Sequence, residues 1–488
     1  MKQKRLIALL LSCGMLAAAM SGCGNNNSGT SQESKSTERK TSEASKADSS
    51  AAGSSEAENS SEAFDPKSIT EGVKLTIAVQ DSLQVADYNT NFTTLSIEEA
   101  LGVDLEFIPY AAADYETKMN VMVMSGDELP DIIFNPGDQY LSWANEGAII
   151  SLNEYYEDPN MSANFQASCE KMGTDVYPML KNADGLAYYV PYYVENYNNS
   201  VNTKLWVYEP WLEAIGKDVP QTTEEFYEVC KLITGNDLNG NGKNDEVALT
   251  GFGFSTGGNN GWFQCLMSAY IYAHGPNFLV AEDGQLKFAY TTDQWKEGLK
   301  YIKKFFDEGL IPVETLTQDN AQYEAIWKNS EMQLFSFAFY NMGGTDMERK
   351  ANYIHIPALE GPEGEKNANG PGMLGAYVLN AQAFLTTATT EEEQLAVKFQ
   401  TRVNTAIMDC MKYGPEEVVS NLPMTADETQ EASDIKASLD TYFYEITSQF
   451  LIGEKDIDSE WDNYLAELEK IGYKKLLATY QTAYDRTK

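Results

Sequence analysis

The stretch GVKLTIAVQD, residues 72–81, opens the part of the chain whose pattern decides the fold. It is rich in Val, Leu and Ile and is bounded by Gly and Asp, as β-strands are. A helical pattern follows, then a Gly stop and a strand at Val103–Ile108, then a helix from Asp114 and a strand at Asp131–Phe134. Strands that alternate with helices at this spacing predict βαβ units, and therefore a parallel sheet in an α/β fold.

The remainder of the chain has a mostly helical pattern. Thr222 or Thr223 is a predicted N-cap with Glu in the first turn. A second predicted helix, within TTDQWKEGLKYIKKFFDEGL, is amphipathic, and its apolar side carries Leu299, Ile302, Phe305 and Phe306. A body of roughly 420 residues exceeds what one hydrophobic core holds, so two lobes are expected.

The N-terminus has the features of a secretion signal. A basic start is followed by the short apolar run LIALLLSCGMLAAAM and by MSGC, which ends in Cys23. The small residues before Cys23 resemble the lipobox of bacterial lipoproteins, which implies cleavage before Cys23 and a diacylglycerol on its sulfur. We expect residues 1–22 to be the signal peptide and residues 23–67 to be the lipidated Cys and a disordered, Ser-rich tether. The alternative is an ordinary secreted protein with a chance Cys.

Charge and cysteine usage exclude several functional classes. The chain carries 73 acidic and 35 basic residues, a net charge of −38, which disfavours nucleic acid as a partner because phosphates would be repelled. No CxxC pair supports a zinc or redox motif, so scattered buried thiols are expected, with one disulfide left open. The two histidines, His274 and His355, have no nucleophile signature nearby, and His274 is expected to end a helix. Hydrolysis by paired carboxylates stays open.

Four segments carry a family resemblance: SGDELPDIIF, EPWLEAIGKDVPQTTEEFYEVCKLIT, TTDQWKEGLKYIKKFFDEGLIPVE and SEWDNYLAELEKIGYKKLLATYQTAYDR. In this order, behind a lipobox, they resemble family 1 extracellular solute-binding proteins of the Gram-positive lipoprotein branch. The similarity spans most of Lys74 to Arg486. VYEPWL stands where the family usually has a basic residue, so a ligand contact from that residue is not expected here.

The resemblance implies a two-lobed, periplasmic-binding-protein-like α/β fold of type II, with mixed sheets flanked by helices and a hinge between lobes. The expected N-terminal lobe comprises residues 68–186 and about 336–395, and the C-terminal lobe 187–335 and about 396–488. Such a protein is a monomeric, non-enzymatic receptor at the extracellular face of the membrane. It captures a carbohydrate by hinge closure and presents it to an ABC permease. The alternatives are a surface glycoside hydrolase with paired carboxylates, a binding protein for peptides or another solute, and a sensor subunit.

The segment NDLNGNGKNDEV, residues 236–247, resembles the start of an EF-hand calcium loop. Asp237, Asn239, Asn241 and Asp245 occupy positions 1, 3, 5 and 9, Gly242 occupies position 6, and Lys243 would offer its carbonyl at position 7. Position 12 is Ala248, so the usual bidentate Glu is missing, and Glu246 or Asp245 is expected to complete the shell. The family resemblance implies a structural Ca²⁺ here. The alternative is an Asn/Gly turn with solvated carboxylates.

Candidate ligand contacts are aromatic residues, which stack on the C–H faces of sugars, and polar residues, which bond the hydroxyl groups. The candidates follow predicted strands, where open α/β sheets bind ligands, or lie in Tyr- or Gly-rich segments. The candidates are Asp81, Asn135, Asp138, Tyr189, Tyr192, Tyr193, Asn196, Asn259, Asn260, Trp262, Tyr340 and Asn341. The other tryptophans, Trp206, Trp211, Trp295, Trp327 and Trp461, are expected in the core.

Overall fold

The computed structural model describes two compact units. The described residues are 67–82, 85–134, 140–172, 175–191, 203–254, 261–273, 278–339, 347–356, 358–367, 390–415, 417, 419 and 422–488. Unit 1 comprises residues up to 139, 157–164 and 190–193, and unit 2 comprises 140–156, 165–189 and 194 onward. Among the described residues, no helix combines the length and the apolar character that crossing a bilayer requires. The predicted signal peptide, Cys23 and nearly all of the tether lie outside the described residues.

Unit 1 is built on a three-stranded parallel sheet. Its elements are α1 (Lys67–Thr70), β1 (Val73–Gln80), α2 (Phe92–Leu101), β2 (Val103–Tyr110), α3 (Tyr115–Ser125) and β3 (Ile132–Ile133). The strand order is β2–β1–β3. β1 pairs with β2 along its whole length, from Val73 opposite Val103, whereas β3 pairs with β1 over two residues. The predicted parallel sheet and the α/β class are confirmed.

Local sequence explains why these elements form. Leu75 and Ile77 of β1 are fully buried and pack with Ile97 of α2 in the core of unit 1. The Asn91 side chain caps α2 by accepting a hydrogen bond of 3.0 Å from the Thr94 backbone N–H. Gly102 ends the helix with φ of 68°, a left-handed conformation that favours glycine, and β2 follows at once. The helix, Gly stop and strand therefore occur as predicted.

Unit 2 contains a mixed sheet, a hairpin and most of the helices. Its first elements are α4 (Tyr140–Asn145), α5 (Asn153–Tyr156), α6 (Ala163–Met172), α7 (Tyr177–Leu180), β4 (Lys204–Tyr208), α8 (Glu209–Ala214), α9 (Thr223–Thr234), β5 (Val247–Thr250) and α10 (Gly261–Met267). The first two residues of α6 belong to unit 1 and the rest of this helix to unit 2. The hairpin β6 (Leu279–Glu282) and β7 (Gln285–Phe288) follows, then α11 (Asp293–Asp307), α12 (Asn320–Trp327), β8 (Leu334–Phe339), α13 (Met347–Ala351) and β9 (Tyr353–Ile356). The chain ends with α14 (Glu391–Cys410), α15 (Ala426–Leu451), α16 (Ile457–Ile471) and α17 (Tyr473–Asp485).

The four-stranded sheet of unit 2 has the order β5–β8–β4–β9. β5 and β8 are parallel, whereas β4 runs antiparallel to both of its neighbours. Successive residues of β4 face opposite sides: Val207 packs in the large core of unit 2, and Trp206 packs in a smaller one. Both faces of the central strand are therefore buried.

This sheet corrects part of the predicted lobe assignment. We assigned residues from about 336 to the N-terminal lobe, but β8 and β9 are the hydrogen-bonded partners of β4, with Trp206 opposite Phe337 and His355. Both strands therefore belong to unit 2, as do residues 140–156 and 165–189. Strand pairing between distant segments leaves no local signal in the sequence, which is why the pattern misplaced them.

Several sequence predictions of caps and core residues are confirmed. Thr222 forms a capping box with Glu225 at the start of α9, and Thr292 caps α11. The predicted apolar side of α11 is buried. All four described cysteines are buried thiols outside any disulfide, and the tryptophans that we placed in the core are buried as well. His274 lies outside the described residues.

Candidate ligand-binding edge and cation loop

The carboxyl ends of the three strands of unit 1 form one edge of its sheet. The Asp81 backbone N–H donates to the Tyr110 carbonyl over 2.7 Å, which holds the ends of β1 and β2 together. The Tyr115 hydroxyl lies 2.5 Å from the Phe134 carbonyl and 3.2 Å from the Ala78 carbonyl, so it links β3 to β1. Burial raises the pKa of Tyr115, which therefore stays a neutral donor. These hydrogen bonds link the carboxyl ends of all three strands.

The exposed Asp81 lies at this edge, and three aromatic residues lie on or beside the same strands, of which Tyr88 and Phe107 pack against the core of unit 1. The rings of Tyr88 and Phe107 have centroids 6.1 Å apart, and the Tyr88 hydroxyl donates to the Gln80 carbonyl over 3.1 Å. The ring of Phe134, immediately after β3, is 39% exposed. Exposed aromatic faces can stack on apolar sugar faces, and a carboxylate can accept hydrogen bonds from hydroxyl groups. We call these four residues, Asp81, Tyr88, Phe107 and Phe134, the aromatic edge.

The structure describes three of the predicted ligand residues. Asp81 lies at the aromatic edge. Tyr189 is half-buried in unit 2, where its ring meets that of Tyr140 edge-on at 5.3 Å and its carbonyl accepts a hydrogen bond from the Tyr156 hydroxyl. Trp262 begins α10. The other candidates, Asn135, Asp138, Tyr192, Tyr193, Asn196, Asn259, Asn260, Tyr340 and Asn341, lie outside the described residues, and their roles stay predictions.

Trp262 is not the open stacking surface that we predicted. Its side chain is fully buried, with ring centroids 5.7 Å from Phe254 and 6.0 Å from Phe306. A Cβ added to Gly251, the residue after β5, would lie 2.1 Å from Trp262 Cδ1, so the indole lies directly on that backbone. Among the described residues its Nε1 has no hydrogen-bond partner. Core packing explains this residue, whereas ligand stacking requires an exposed face.

Sequence reasoning also missed an aromatic cluster in unit 2. The Tyr156 ring stacks on Tyr177 at 5.0 Å and meets Phe165 edge-on at 4.8 Å. The Lys181 ammonium lies 4.2 Å from the centre of the Tyr177 ring, a cation–π distance. The short helices α5, α6 and α7 supply these residues, and no periodic pattern in their sequence indicated that they meet.

The predicted cation loop lies between α9 and β5 and is held by its own side chains. Asp237 Oδ2 accepts from the Gly242 N–H at 2.9 Å, and Asn239 Oδ1 accepts from the Asn241 N–H at 2.9 Å. Asn241 Oδ1 in turn accepts from the Lys243 N–H at 2.8 Å. Gly242 has φ of 82°, so the sharp turn expected at position 6 is present and glycine is the residue that suits it.

Asp245 accepts hydrogen bonds from three side-chain amides in and beside the loop. Gln333 Nε2 donates to its Oδ2 at 2.7 Å, and the amides of Asn241 and Asn239 donate to its Oδ1 at 3.1 and 3.3 Å. Desolvation acts to raise the pKa of Asp245, but the three amide hydrogen bonds outweigh it and lower this pKa below its ordinary value. Asp245 is therefore an ionised carboxylate.

Glu246 contributes a second carboxylate inside the loop. Its Oε1 accepts from the backbone N–H groups of Leu238 and Asn239 at 2.7 and 3.0 Å. Its Oε2 is buried and has no hydrogen-bond partner among the described residues. An unpaired buried carboxylate oxygen is costly unless a donor or a cation meets it.

The donor chemistry of the loop fits a hard cation. No three His, Cys, Asp or Glu side chains in the described part of the chain converge closely enough to hold a metal by themselves. The remaining oxygens of the loop are Asn amide and backbone oxygens, which Ca²⁺ accepts readily. The buried Oε2 of Glu246 has no hydrogen-bond partner among the described residues, so a cation beside it would be stabilising. The residues present therefore fit such an ion.

Comparisons with known proteins agree on one family. The family model for bacterial extracellular solute-binding proteins matches residues 87–406. The fructooligosaccharide ABC transporter substrate-binding protein FusA of Streptococcus pneumoniae is 26% identical over 492 aligned residues, which cover 83% of this chain and 88% of FusA. The family match includes the cation loop and, of the aromatic edge, Tyr88, Phe107 and Phe134 but not Asp81.

Solved structures show the same fold. FusA in complex with kestose superposes with a TM-score of 0.66 at 23% identity, covering 85% of this chain and 99% of FusA. An EF-hand mutant of FusA in complex with fructo-nystose gives a TM-score of 0.68 at 23% identity over the same shares of both chains. An extracellular solute-binding protein from Bifidobacterium longum subsp. infantis gives 0.69 at 17% identity, covering 85% of this chain and 98% of that one. This chain belongs to the bacterial extracellular solute-binding protein family.

Proposed function

We propose that this protein is an extracellular receptor that binds a carbohydrate, an oligosaccharide, and delivers it chemically unaltered to an ABC importer. The observation that carries this proposal is the similarity to the fructooligosaccharide-binding FusA over 83% of the chain. The exposed Asp81 and the exposed ring of Phe134 after β3 support it, because a carboxylate and an aromatic face suit an uncharged, hydroxyl-rich ligand. Asp81 and the predicted residues after β3 and around residues 189–196 are the proposed contacts.

A binding panel tests the ligand class. Titration calorimetry of the purified protein against fructooligosaccharides, other glycans and peptides should show saturable binding to a glycan. Binding to peptides alone would overturn the proposal. The family and the similar proteins are binding proteins, and the comparisons give no support to a glycoside hydrolase. Prolonged incubation with the bound glycan should therefore yield no cleavage product, and a product would favour the hydrolase.

We further propose that the protein is anchored by a lipid on Cys23, works as a monomer and meets its permease at the outer surface of the membrane. The lipobox-like sequence before Cys23 supports the anchor. Replacing Cys23 with Ala in the native host should shift the protein from the membrane fraction to the medium. Equal retention of wild type and variant at the membrane would contradict the anchor.

We also propose that the cation loop holds a structural Ca²⁺. The proposed ligands are the side chains of Asp237, Asn239, Asn241, Asp245 and Glu246 and the carbonyl of Lys243. The existence of an EF-hand mutant of the related FusA supports this assignment. A bound Ca²⁺ would add positive charge that stabilises the loop between α9 and β5, and millimolar extracellular calcium saturates even weak sites. Chelation should lower the melting temperature, and an unchanged melting temperature would contradict the proposal.

A further inference from the structure

The segment 310–318, which follows α11, runs beside β5 and past its carboxyl end. β5 is an edge strand of the four-stranded sheet of unit 2. The Leu249 N–H donates to the Leu310 carbonyl over 3.4 Å, and beyond the strand the Gly253 N–H donates to the Gln318 carbonyl over 3.1 Å. The segment therefore covers the open edge of β5 and contacts the backbone that leaves the strand.

The side chain of Gln318 binds the same stretch of backbone. Its Nε2 donates to the Gly251 carbonyl and, over 2.8 Å, to the Thr250 hydroxyl. Thr250 in turn shares a hydrogen bond of 2.8 Å with the Thr315 hydroxyl. Gln318 is 6% exposed, and both threonines are fully buried. Loss of this amide would be costly, because the buried Gly251 carbonyl would lose its donor.

Aromatic rings fix the neighbouring residues. The rings of Phe252 and Tyr323, a residue of α12, have centroids 5.1 Å apart. Phe254 is fully buried, and its ring centroid lies 5.1 Å from that of Phe263 in α10. Together with the two glycines bound to Gln318, these rings give the residues just after β5 a defined position.

The edge that Gln318 orders is the edge at which the predicted ligand contacts of unit 2 follow the sheet. β5 and β8 are parallel, so their carboxyl ends lie at the same edge. The predicted contacts Asn259 and Asn260 come after β5 in the sequence, and Tyr340 and Asn341 come directly after β8. Open α/β sheets bind ligands at such an edge. The position of the backbone after β5 therefore bears on ligand binding.

We propose that Gln318 is a positioning residue for carbohydrate binding, which holds the backbone after β5 in the place that the bound state requires. Because Gln318 is buried, it acts through Gly251 and Gly253 and not by contact with the glycan. A backbone that occupied this place for only part of the time would lower the apparent affinity in proportion. This inference rests on the proposed function and deepens it.

Glycan titration of matched variants tests the role of Gln318. Gln318→Met keeps the length of the side chain and removes the amide. It should weaken binding by about tenfold, as expected if the binding-competent position is populated about one-tenth of the time. The control is Thr315→Val, which removes a buried hydroxyl from the same network and leaves the donor to Gly251 in place. It should bind within about twofold of wild type, although both variants should lower the melting temperature.

Two measurements compare these proteins. Titration calorimetry with fructooligosaccharides and the other glycans of the binding panel gives the affinity at a temperature where all variants are folded. Hydrogen exchange followed by mass spectrometry needs no ligand: the amides of residues 251–254 should exchange faster in Gln318→Met than in wild type, and at the wild-type rate in Thr315→Val. Circular dichroism checks folding. Gln318→Asn, which keeps the amide on a shorter side chain, should bind more tightly than Gln318→Met.

Each outcome supports or overturns the role of Gln318. Wild-type affinity in Gln318→Met would overturn it. Equal weakening in both variants would do the same, because a general loss of stability would then be the cause. Unchanged exchange of residues 251–254 in Gln318→Met would show that the amide does not hold this backbone. A wild-type protein that binds no glycan of the panel would overturn the proposed function and this role together, which distinguishes that failure from the others.

Discussion

Aromatic side chains follow the carboxyl end of a parallel strand in both units, but they are buried to different extents. In unit 1, Phe134 follows β3 and stays 39% exposed. In unit 2, Trp262 lies on Gly251, the residue after β5, and is fully buried. Ligands of open α/β sheets bind at such strand ends. A position at the carboxyl end of a strand is therefore not enough to make an aromatic residue a ligand contact, because the surrounding packing decides whether its ring is exposed.

The largest expected effect concerns the buried ring of Trp262. Trp262→Ala should lower the free energy of unfolding by about 3–5 kcal/mol, because it removes a fully buried indole from a packed core. Urea denaturation followed by circular dichroism measures this. A loss below about 1 kcal/mol together with weaker glycan binding would show that the ring serves the ligand.

Gly251→Ala probes the same contact from the other side. The added methyl would lie 2.1 Å from Trp262 Cδ1, so the indole or the backbone must move, at about 1–3 kcal/mol. Unchanged stability would mean that the indole leaves this position easily. Trp262 would then again be a candidate ligand contact.

The exposed ring of Phe134 should show the opposite behaviour, because its removal should affect glycan binding more than stability. Phe134→Ala should weaken glycan binding by about tenfold, which corresponds to about 1.4 kcal/mol, while the melting temperature changes little. Met124→Ala is the control: this side chain is 87% exposed near the C-terminal end of α3, at the opposite edge of the sheet. Titration calorimetry compares both variants. Equal glycan affinity of wild type and Phe134→Ala would show that this ring does not contribute to ligand binding.

The smallest expected effect concerns an ion pair in unit 2. Arg486 donates to both carboxylate oxygens of Glu428 at 2.6 and 2.7 Å, and this hydrogen bonding is the main cause that lowers the Glu428 pKa to about 2. Because the folded-state pKa is lowered, the pair stabilises the fold at neutral pH and loses this effect as pH falls from about 5 towards 2. Arg486→Ala should cost about 0.5–1 kcal/mol at pH 7.

The pH dependence separates this ion pair from the aromatic edge. The difference in melting temperature between wild type and Arg486→Ala should shrink as the pH is lowered from 7 to 3. Glycan affinity at pH 7 should be the same in both proteins, because the pair lies in unit 2, far along the chain from Asp81. A melting-temperature difference that does not change with pH would contradict the assigned role of the Glu428 carboxylate.

Local signals in the sequence predicted much of the fold. The Gly stop at Gly102, the cap at Thr222 and the apolar side of α11 depend on neighbouring residues, so a short window contains the information. The longest helix of the described residues, α15 (Ala426–Leu451), escaped prediction although Thr425 and Glu428 form a capping box at its start. The strand β4 was missed for another reason: residues 204–207 are all buried, so the alternation of a half-exposed strand is absent.

The sequence by itself determined the α/β class, the family resemblance and the order of donor residues in the cation loop. Each of these depends on residues close together in the chain or on motifs read in order. Only the tertiary structure decided that Trp262 is enclosed, that β8 and β9 flank β4, and that Glu331 and Gln333 reach the loop. The physical reason is that burial and strand pairing arise from contacts between distant segments. A short window of sequence does not contain those partners.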